Sequence, residues 1–216
     1  MRKEDCVKLA ENFLKDKFCE SEYFKDKKAE RDYRFEHSVR VANIGKIIAE
    51  KEGMDVDAMV IACLLHDISY INEFKTREEA RNHGRYSAKI ARSFLEEIGM
   101  EPEVIEDICY GIAIHVDDEA DFPGERTAFA LTVGDADNID RFDAYRIFEN
   151  LKWVKYDEMN IEEKKEHTEK TLERLEKYKN LDFATKTSKE MWLEKLDFQI
   201  EFYKKLLLQI ENSALS

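Results

Sequence analysis

Turn-forming residues are scarce in this chain of 216 residues, which has only 2 prolines and 7 glycines. A fold of many short strands needs such residues at its frequent turns, so their scarcity argues against a strand-rich domain. Helices joined by short connections are favoured instead. Hydrophobic residues make up 43% of the chain and charged residues 38%, which is enough for a core beneath a solvated, helix-rich surface.

An excess of positive charge is also missing, because the net charge is −13. Proteins that bind nucleic acid polymers hold the phosphate backbone with surplus Lys and Arg. We therefore expect no nucleic acid polymer as a partner. A small phosphorylated ligand held by a metal stays compatible with this charge.

Long apolar runs and paired cysteines are absent as well. No run approaches the 18 residues that suggest a membrane-spanning helix, and MRKEDCVKLAENFLKDKF has the pattern of a charged amphipathic helix rather than a signal peptide. The 4 cysteines form no CxxC pair and stand mostly among apolar neighbours, as buried free thiols do. These features predict a soluble cytoplasmic protein with no membrane partner.

Helical spacing of apolar residues runs through almost the whole chain and predicts an all-α fold. Residues 21–34 are mostly charged and aromatic, and a loop or short helix is expected there. A helix is predicted from Phe35 to about Lys51 and another from Met59 to His66. The final helix, from about Ser188 to Glu211, carries an apolar stripe that suits packing against the rest of the chain or a second subunit. The sequence therefore leaves open whether the protein forms a homodimer.

The segment VIACLLHDISY stays apolar until it presents His66 beside Asp67. Two polar groups at the end of an apolar helix are desolvated unless something binds them, and a divalent cation would do so. An isolated His-Asp pair is more often a solvated helix end. The rest of the chain must decide between the two readings.

Four of the five histidines stand at or beside the ends of four successive predicted helices, near the apolar faces. Helix bundles commonly build metal sites from inward side chains of neighbouring helices. Imidazoles and carboxylates without cysteine suit Mn, Fe, Zn, Mg or Ni better than a structural thiolate site would. The candidate residues are His37, His66, His83, His115, Asp67 and either Asp135 or Asp137.

The order of these residues resembles the HD-domain superfamily of metal-dependent phosphohydrolases. Four segments resemble it in turn: FEHSVRVANIGKIIAEKEGMD, VIACLLHDI, HGRYSAKIA and GDADNIDRFDA. The resemblance covers about residues 35–148 and implies an HD-domain-like helical bundle. We expect residues 1–216 to form a single domain, with a C-terminal helical extension over about 149–216. That extension is similar to the tail of a bacterial subgroup described as nucleotide pyrophosphohydrolases.

The resemblance implies that His37, His66, Asp67 and one later aspartate hold a divalent ion, which could be Mn, Fe, Mg, Ni, Co or Zn. Asp137 is chosen because the family's ligand follows an alanine and precedes an xxD or xxH turn. Asp135 would then accept a hydrogen bond from a ligand. Asp67 is the catalytic candidate, because it could orient or deprotonate the attacking water.

His83 and His115 carry two alternative roles. In two-metal members of the superfamily, comparable histidines bind a second ion, whereas in one-metal members this region contacts the substrate phosphate. The sequence therefore leaves open whether the site binds one metal ion or two. Arg40, Arg81 and Arg85 could reach a phosphate or could be solvated surface arginines.

These inferences predict a metal-dependent phosphohydrolase that cleaves a phosphate ester or anhydride of a small phosphorylated metabolite. A nucleotide is the leading candidate. The alternatives are a di-iron oxygenase built on the same six side chains and a non-catalytic metal-binding regulatory module.

Overall fold

The computed structural model describes residues 3–213, with side chains from Asp5 onward, and every element in that range is helical. The predicted all-α fold class is confirmed. Short 3₁₀ turns follow some of the α-helices. The α-helices of the described range are α1 Lys3–Glu20, α2 Lys28–Glu52, α3 Val56–Leu65, α4 Arg77–Arg81, α5 His83–Glu97, α6 Pro102–Ile114, α7 Ala128–Arg141, α8 Ala144–Trp153, α9 Ile161–Lys177 and α10 Lys186–Glu211.

The described residues up to Asp137 form one compact unit, and α3 is its central helix. With the sequence VDAMVIACLL, α3 is apolar all round, so it is stable only when it is buried on every side. It lies against α1, α2 and α6, while α5 pairs with α6. The buried helix ends directly before His66, so the hydrophobic core reaches the polar pair.

Local capping explains several of the helix ends. The side chain of Asp55 accepts a hydrogen bond from the backbone N–H of Ala58 at 3.1 Å and so starts α3. Thr76 and Glu79 form a reciprocal capping box at the start of α4. Gly53 ends α2 with a φ of +71°, a conformation that favours glycine. These signals were all readable in the sequence.

The start of α2 differs from the prediction. The helix begins at Lys28 rather than Phe35, so the loop or short helix expected for residues 21–34 is wrong in its second half. Charge pairs hold this first turn instead of apolar contacts, because Lys28 pairs with Asp32 one turn later and the Tyr23 hydroxyl donates to Glu30 at 3.1 Å. Residues 28–37 are consequently one continuous helix.

The described residues from Asn138 onward form a second compact unit, in which α10 packs against α9. Leu196, Ile200, Tyr203 and Ile210 of the predicted apolar stripe are buried, so the stripe is a packing face. The Trp192 indole N–H donates to a backbone carbonyl at 3.1 Å, which satisfies the polar atom of this buried ring.

The boundary between the two units falls inside α7. The expectation of a single domain over the whole chain stays a prediction. Within residues 3–213, no helix is both long enough and apolar enough to cross a membrane.

Candidate metal centre

The six predicted site residues come together from five places in the first unit. His37 lies on α2, His66 and Asp67 follow α3, and Asp137 lies on α7; these four residues are buried. His83 is the first residue of α5 and His115 follows the last residue of α6, and both are partly buried.

Asp67 stands at the centre of the cluster, and its two carboxylate oxygens face different partners. Its Oδ2 atom lies 3.7 Å from the Nε2 atom of His37 and 3.7 Å from that of His66. Its Oδ1 atom lies 3.1 Å from Nε2 of His83 and 3.7 Å from Nε2 of His115. The carboxylate is therefore shared between two pairs of imidazoles.

Asp137 joins the first of these pairs. Its Oδ1 atom lies 3.2 Å from Nε2 of His37 and 3.9 Å from Nε2 of His66. Asp135 is buried on the same helix two residues earlier, and residues two apart on a helix point in widely different directions. Asp137 therefore lies within the cluster, and its role as the ligand in preference to Asp135 stays a prediction from the family resemblance.

Three of the imidazoles are oriented by backbone carbonyls at the ends of helices. The last carbonyls of a helix have no partner within it, and here they accept the Nδ1–H of a histidine three residues later. The three distances are 2.7 Å from His66 to Cys63 O, 2.6 Å from His83 to Ala80 O and 2.7 Å from His115 to Ile112 O. With Nδ1 donating in this way, the neutral ring directs the lone pair of Nε2 into the cluster.

His66 is the clearest sign that the cluster needs a cation. Its Nε2 atom is buried and has no hydrogen-bond partner among the described residues. Burial lowers the pKa of His66 to about 4, so the ring is neutral at physiological pH. A buried lone pair without a donor is costly, and a metal ion would satisfy it.

The other imidazole pair has a similar requirement. The Nε2 atoms of His83 and His115 lie 3.1 Å apart, so two lone pairs would face each other unless a proton or a cation stood between them. Burial is the largest single influence on His83 and opposes its charging, but the hydrogen bond and charge of Asp67, together with the hydrogen bond to the Ala80 carbonyl, raise the pKa of His83. Burial likewise opposes the ionisation of Asp67, yet the surrounding imidazoles hold the pKa of this carboxyl well below its usual range.

The donor set fits a divalent metal. Three overlapping groups of potential ligands have their ligand atoms within 4.8 Å of one another: His37, His66 and Asp67; His66, His115 and Asp137; and Asp67, His83 and His115. Imidazole nitrogen and carboxylate oxygen suit Mn, Fe, Co, Ni and Zn. The residues present therefore match the metal site that the sequence predicts.

Arg34 belongs to the same site, and sequence reasoning missed it. Its Nη1 atom donates to Asp67 Oδ2 at 3.2 Å, its guanidinium lies 3.5 Å from the centre of the Tyr70 ring, and its buried Nε has no hydrogen-bond partner in the part of the chain that the structure describes. Burial opposes the charge of this guanidinium, but the carboxylate of Asp67, with smaller contributions from two neighbouring tyrosines and Glu30, raises the pKa of Arg34. The signal was its position one helical turn before His37, hidden by the late helix start that we predicted.

Arg81 and Arg85 have a different role from the phosphate contact considered above. Arg81 Nε and Arg85 Nη1 each donate to the carboxylate of Asp117 at 2.8 Å. The hydrogen bond from Arg85 is the largest influence that lowers the pKa of Asp117, to about 2. These ion pairs join the end of α4 and the first turn of α5 to the segment after α6.

The chain is similar to a known family in sequence and to a solved structure in fold. Residues 34–145, just over half of the chain, match the model of a family described as HD domain. No curated protein sequence matches the chain. The chain is similar in structure to a protein described as a predicted HD superfamily hydrolase from an uncultured Thermotogales bacterium, with a TM-score of 0.62 and 21% identity over 93% of this chain and 90% of that one. At this identity the likeness shows the fold alone.

Proposed function

The chain belongs to the HD-domain family, and from that premise we propose that it is a metal-dependent phosphohydrolase acting on a small phosphorylated metabolite, with a nucleotide as the leading substrate. The observation that carries the proposal is the position of Asp67, whose two oxygens face two separate imidazole pairs. A purely structural carboxylate has no need of four imidazoles around it.

One ion would be held by His37, His66, Asp67 and Asp137, whose ligand atoms converge on one side of the cluster. His83 and His115, together with the second oxygen of Asp67, offer a second position. We therefore favour two ions over one, and Asp67 would then contribute a ligand atom to each position. If the site held one ion, His83 and His115 would be available to contact a phosphate of the substrate.

A divalent ion in such a site polarises a phosphoryl oxygen and lowers the pKa of a bound water toward about 7. Asp67 would orient the attacking water or accept its proton. The water oxygen forms a bond to phosphorus while the bond to the leaving group breaks, and the leaving group departs with that electron pair. Arg34 lies 3.2 Å from Asp67 and supplies a fixed positive charge for the phosphoryl oxygens.

The alternative enzyme is a di-iron oxygenase, because a carboxylate shared between imidazole pairs suits two irons equally well. A regulatory module that binds metal without catalysis is the third reading. It is the least favoured, since Arg34 adds a partly buried cation beside the ion-binding groups, and its Nε–H has no hydrogen-bond partner among the described residues.

Metal analysis followed by a phosphate-release screen tests these readings. The protein is purified without added metal, its metal content is measured, and nucleotides and simple phosphate esters are offered with Mn, Mg, Co, Ni, Fe or Zn. We expect phosphate or pyrophosphate release that His66→Ala and Asp67→Ala abolish. His167→Ala is the matched control, because His167 lies on α9 in the second unit.

Two outcomes would contradict the proposal. Two irons per chain with an oxygen-dependent spectrum and no phosphatase activity would favour the oxygenase. No turnover with any metal, together with tight metal binding, would favour the regulatory module.

A further inference from the structure

Three aromatic rings form a row that leads away from the candidate metal centre. The ring of Tyr70 lies 5.1 Å from the ring of His83 and 5.1 Å from that of Phe74. The ring of Phe74 lies 6.3 Å from that of His83 and 6.4 Å from that of Tyr86, with an angle of 26° between the planes of Phe74 and Tyr86. The row begins at a candidate ligand and ends at Tyr86, which is 37% exposed.

Core packing does not explain the position of Phe74. Tyr70 packs against the hydrophobic core of the first unit, but partly buried Phe74 is not among the described residues that do so. Its neighbours Glu73 and Lys75 are exposed, so Phe74 is the single apolar side chain in the polar segment NEFKTR. An apolar ring held outside the core, beside a cluster of polar groups, is typical of a ligand-binding surface.

The other end of the row of rings lies beside the guanidinium of Arg34. The guanidinium of Arg34 lies over the ring of Tyr70 at 3.5 Å, and its Nη1 atom reaches Asp67. A positively charged group therefore stands at the Tyr70 end of the row of aromatic rings. A ligand with negative charge at one end and a flat ring at the other matches this order.

We propose that Phe74 and Tyr86 form a stacking surface for the planar base of a nucleotide whose phosphates lie at the Arg34 end. This inference rests on the proposed function and narrows its substrate class to phosphates that carry an aromatic ring. Because every base has a π face, the surface selects nucleotides over ringless phosphates and discriminates little among the bases.

Equilibrium binding tests the proposal without depending on turnover. Titration calorimetry with Mn²⁺ present compares the hydrolysis-resistant β,γ-imido analogue of ATP with inorganic tripolyphosphate, on the wild type and on Phe74→Ala, Tyr86→Ala and the double variant. We expect Phe74→Ala to weaken binding of the nucleotide analogue by about 5- to 150-fold, the range for loss of one stacking partner, and to leave tripolyphosphate within about twofold. Phe74→Tyr keeps the ring and should restore the affinity.

Phe148→Ala is the matched control, since Phe148 is a 60% exposed aromatic residue on α8. It should change neither affinity. Equal weakening of both ligands by Phe74→Ala would assign Phe74 to the packing of its segment and overturn the proposal, as would equally tight binding of both ligands to the wild type. If the nucleotide analogue binds through Phe74 but no phosphate compound is hydrolysed, the stacking surface stands and the proposed phosphohydrolase function fails.

Discussion

At the scale of single residues, His66 shows most clearly how burial and metal binding are linked. Its Nδ1–H donates a hydrogen bond to the carbonyl oxygen of Cys63 at 2.7 Å, while its Nε2 atom is buried without a hydrogen-bond partner in the described range. The buried lone pair on Nε2 therefore destabilises the folded protein when nothing binds it. A ligand that binds only the folded state offsets such a cost and raises the stability of that state.

We expect saturating Mn²⁺ to raise the Tm of the wild type by about 5–10 °C and to leave that of His66→Ala almost unchanged. The reason is that the variant loses a nitrogen ligand at the centre of the cluster. Thermal unfolding followed by circular dichroism, with and without the ion, makes the measurement. His167→Ala should keep the full shift, and a full shift in His66→Ala would rule His66 out as a ligand.

Arg34 permits a second prediction at this scale. Its planar guanidinium lies over the ring of Tyr70, and the ammonium group of lysine cannot reproduce that planar set of donors. For Arg34→Lys we expect the KM of a phosphorylated substrate to rise by about 10- to 100-fold, the range for loss of a charged hydrogen bond. Steady-state kinetics provides the measurement.

Arg31→Lys is the matched control for Arg34, because Arg31 is a partly buried arginine on the same helix that donates to Asp32 at 3.0 Å. It should leave the KM unchanged. If Arg34→Lys lowers only the Tm and not the affinity for substrate, Arg34 serves solely to hold Asp67 in place.

At the scale of helices, the approach of α5 to α6 sets the distance between His83 and His115. Gly84 makes this approach possible, because a Cβ there would lie 2.8 Å from the carbonyl oxygen of Ala113 and 2.9 Å from that of Ile112. Both are backbone atoms and cannot turn aside. Any side chain at this position would push the two helix ends apart.

Gly84→Ala should therefore destabilise the fold by about 1–3 kcal/mol, the range for overpacking, and should also reduce the bound metal from two ions per chain to one. Urea unfolding and metal analysis after dialysis measure the two effects. Gly53→Ala is the comparison, because Gly53 has a φ of +71° and no atom among the described residues within 4 Å of its added Cβ. It should cost stability through backbone strain and leave the metal content intact. Unchanged metal binding in Gly84→Ala would contradict the role of this glycine in spacing the two histidines.

At the scale of the whole molecule, the net charge of −13 separates two kinds of phosphate ligand. A nucleic acid polymer needs many cationic contacts along its backbone, whereas a small phosphate needs a few donors and an ion at one point. The partly buried Arg34 and the histidine cluster meet the second requirement. The homodimer that the final helix leaves open stays a prediction.

We expect no binding of a fluorescent DNA duplex at low salt, because repulsion by the surface opposes it while few counterions are released. Fluorescence anisotropy measures this directly. Inorganic tripolyphosphate in the presence of Mn²⁺ is the positive control, detected by calorimetry. Salt-sensitive DNA binding would show that a local basic surface outweighs the net charge.

Much of the fold and the cluster follows from local sequence. Apolar periodicity and recognisable caps such as Asp55 and Thr76 predict the helices, because these signals act over one or two turns. The four histidines and Asp67 are candidate ligands because they stand at or beside the ends of predicted helices, near the apolar faces, whereas the choice of Asp137 over Asp135 depends on the family resemblance. The start of α2 was not, since charge pairs and Tyr23 hold its first turn rather than an apolar stripe.

The amino-acid sequence by itself determined the all-α class, the capping of the helices and the set of imidazoles and carboxylates available to a metal. Only the tertiary structure decided that the two oxygens of Asp67 face two different imidazole pairs. It also decided that Arg34 donates a hydrogen bond to Asp67. Finally, it decided that Arg81 and Arg85 form ion pairs with Asp117. These relations join residues as far as 48 positions apart, the separation of Asp67 and His115. They depend on how closely packed helices approach, which no short-range pattern encodes.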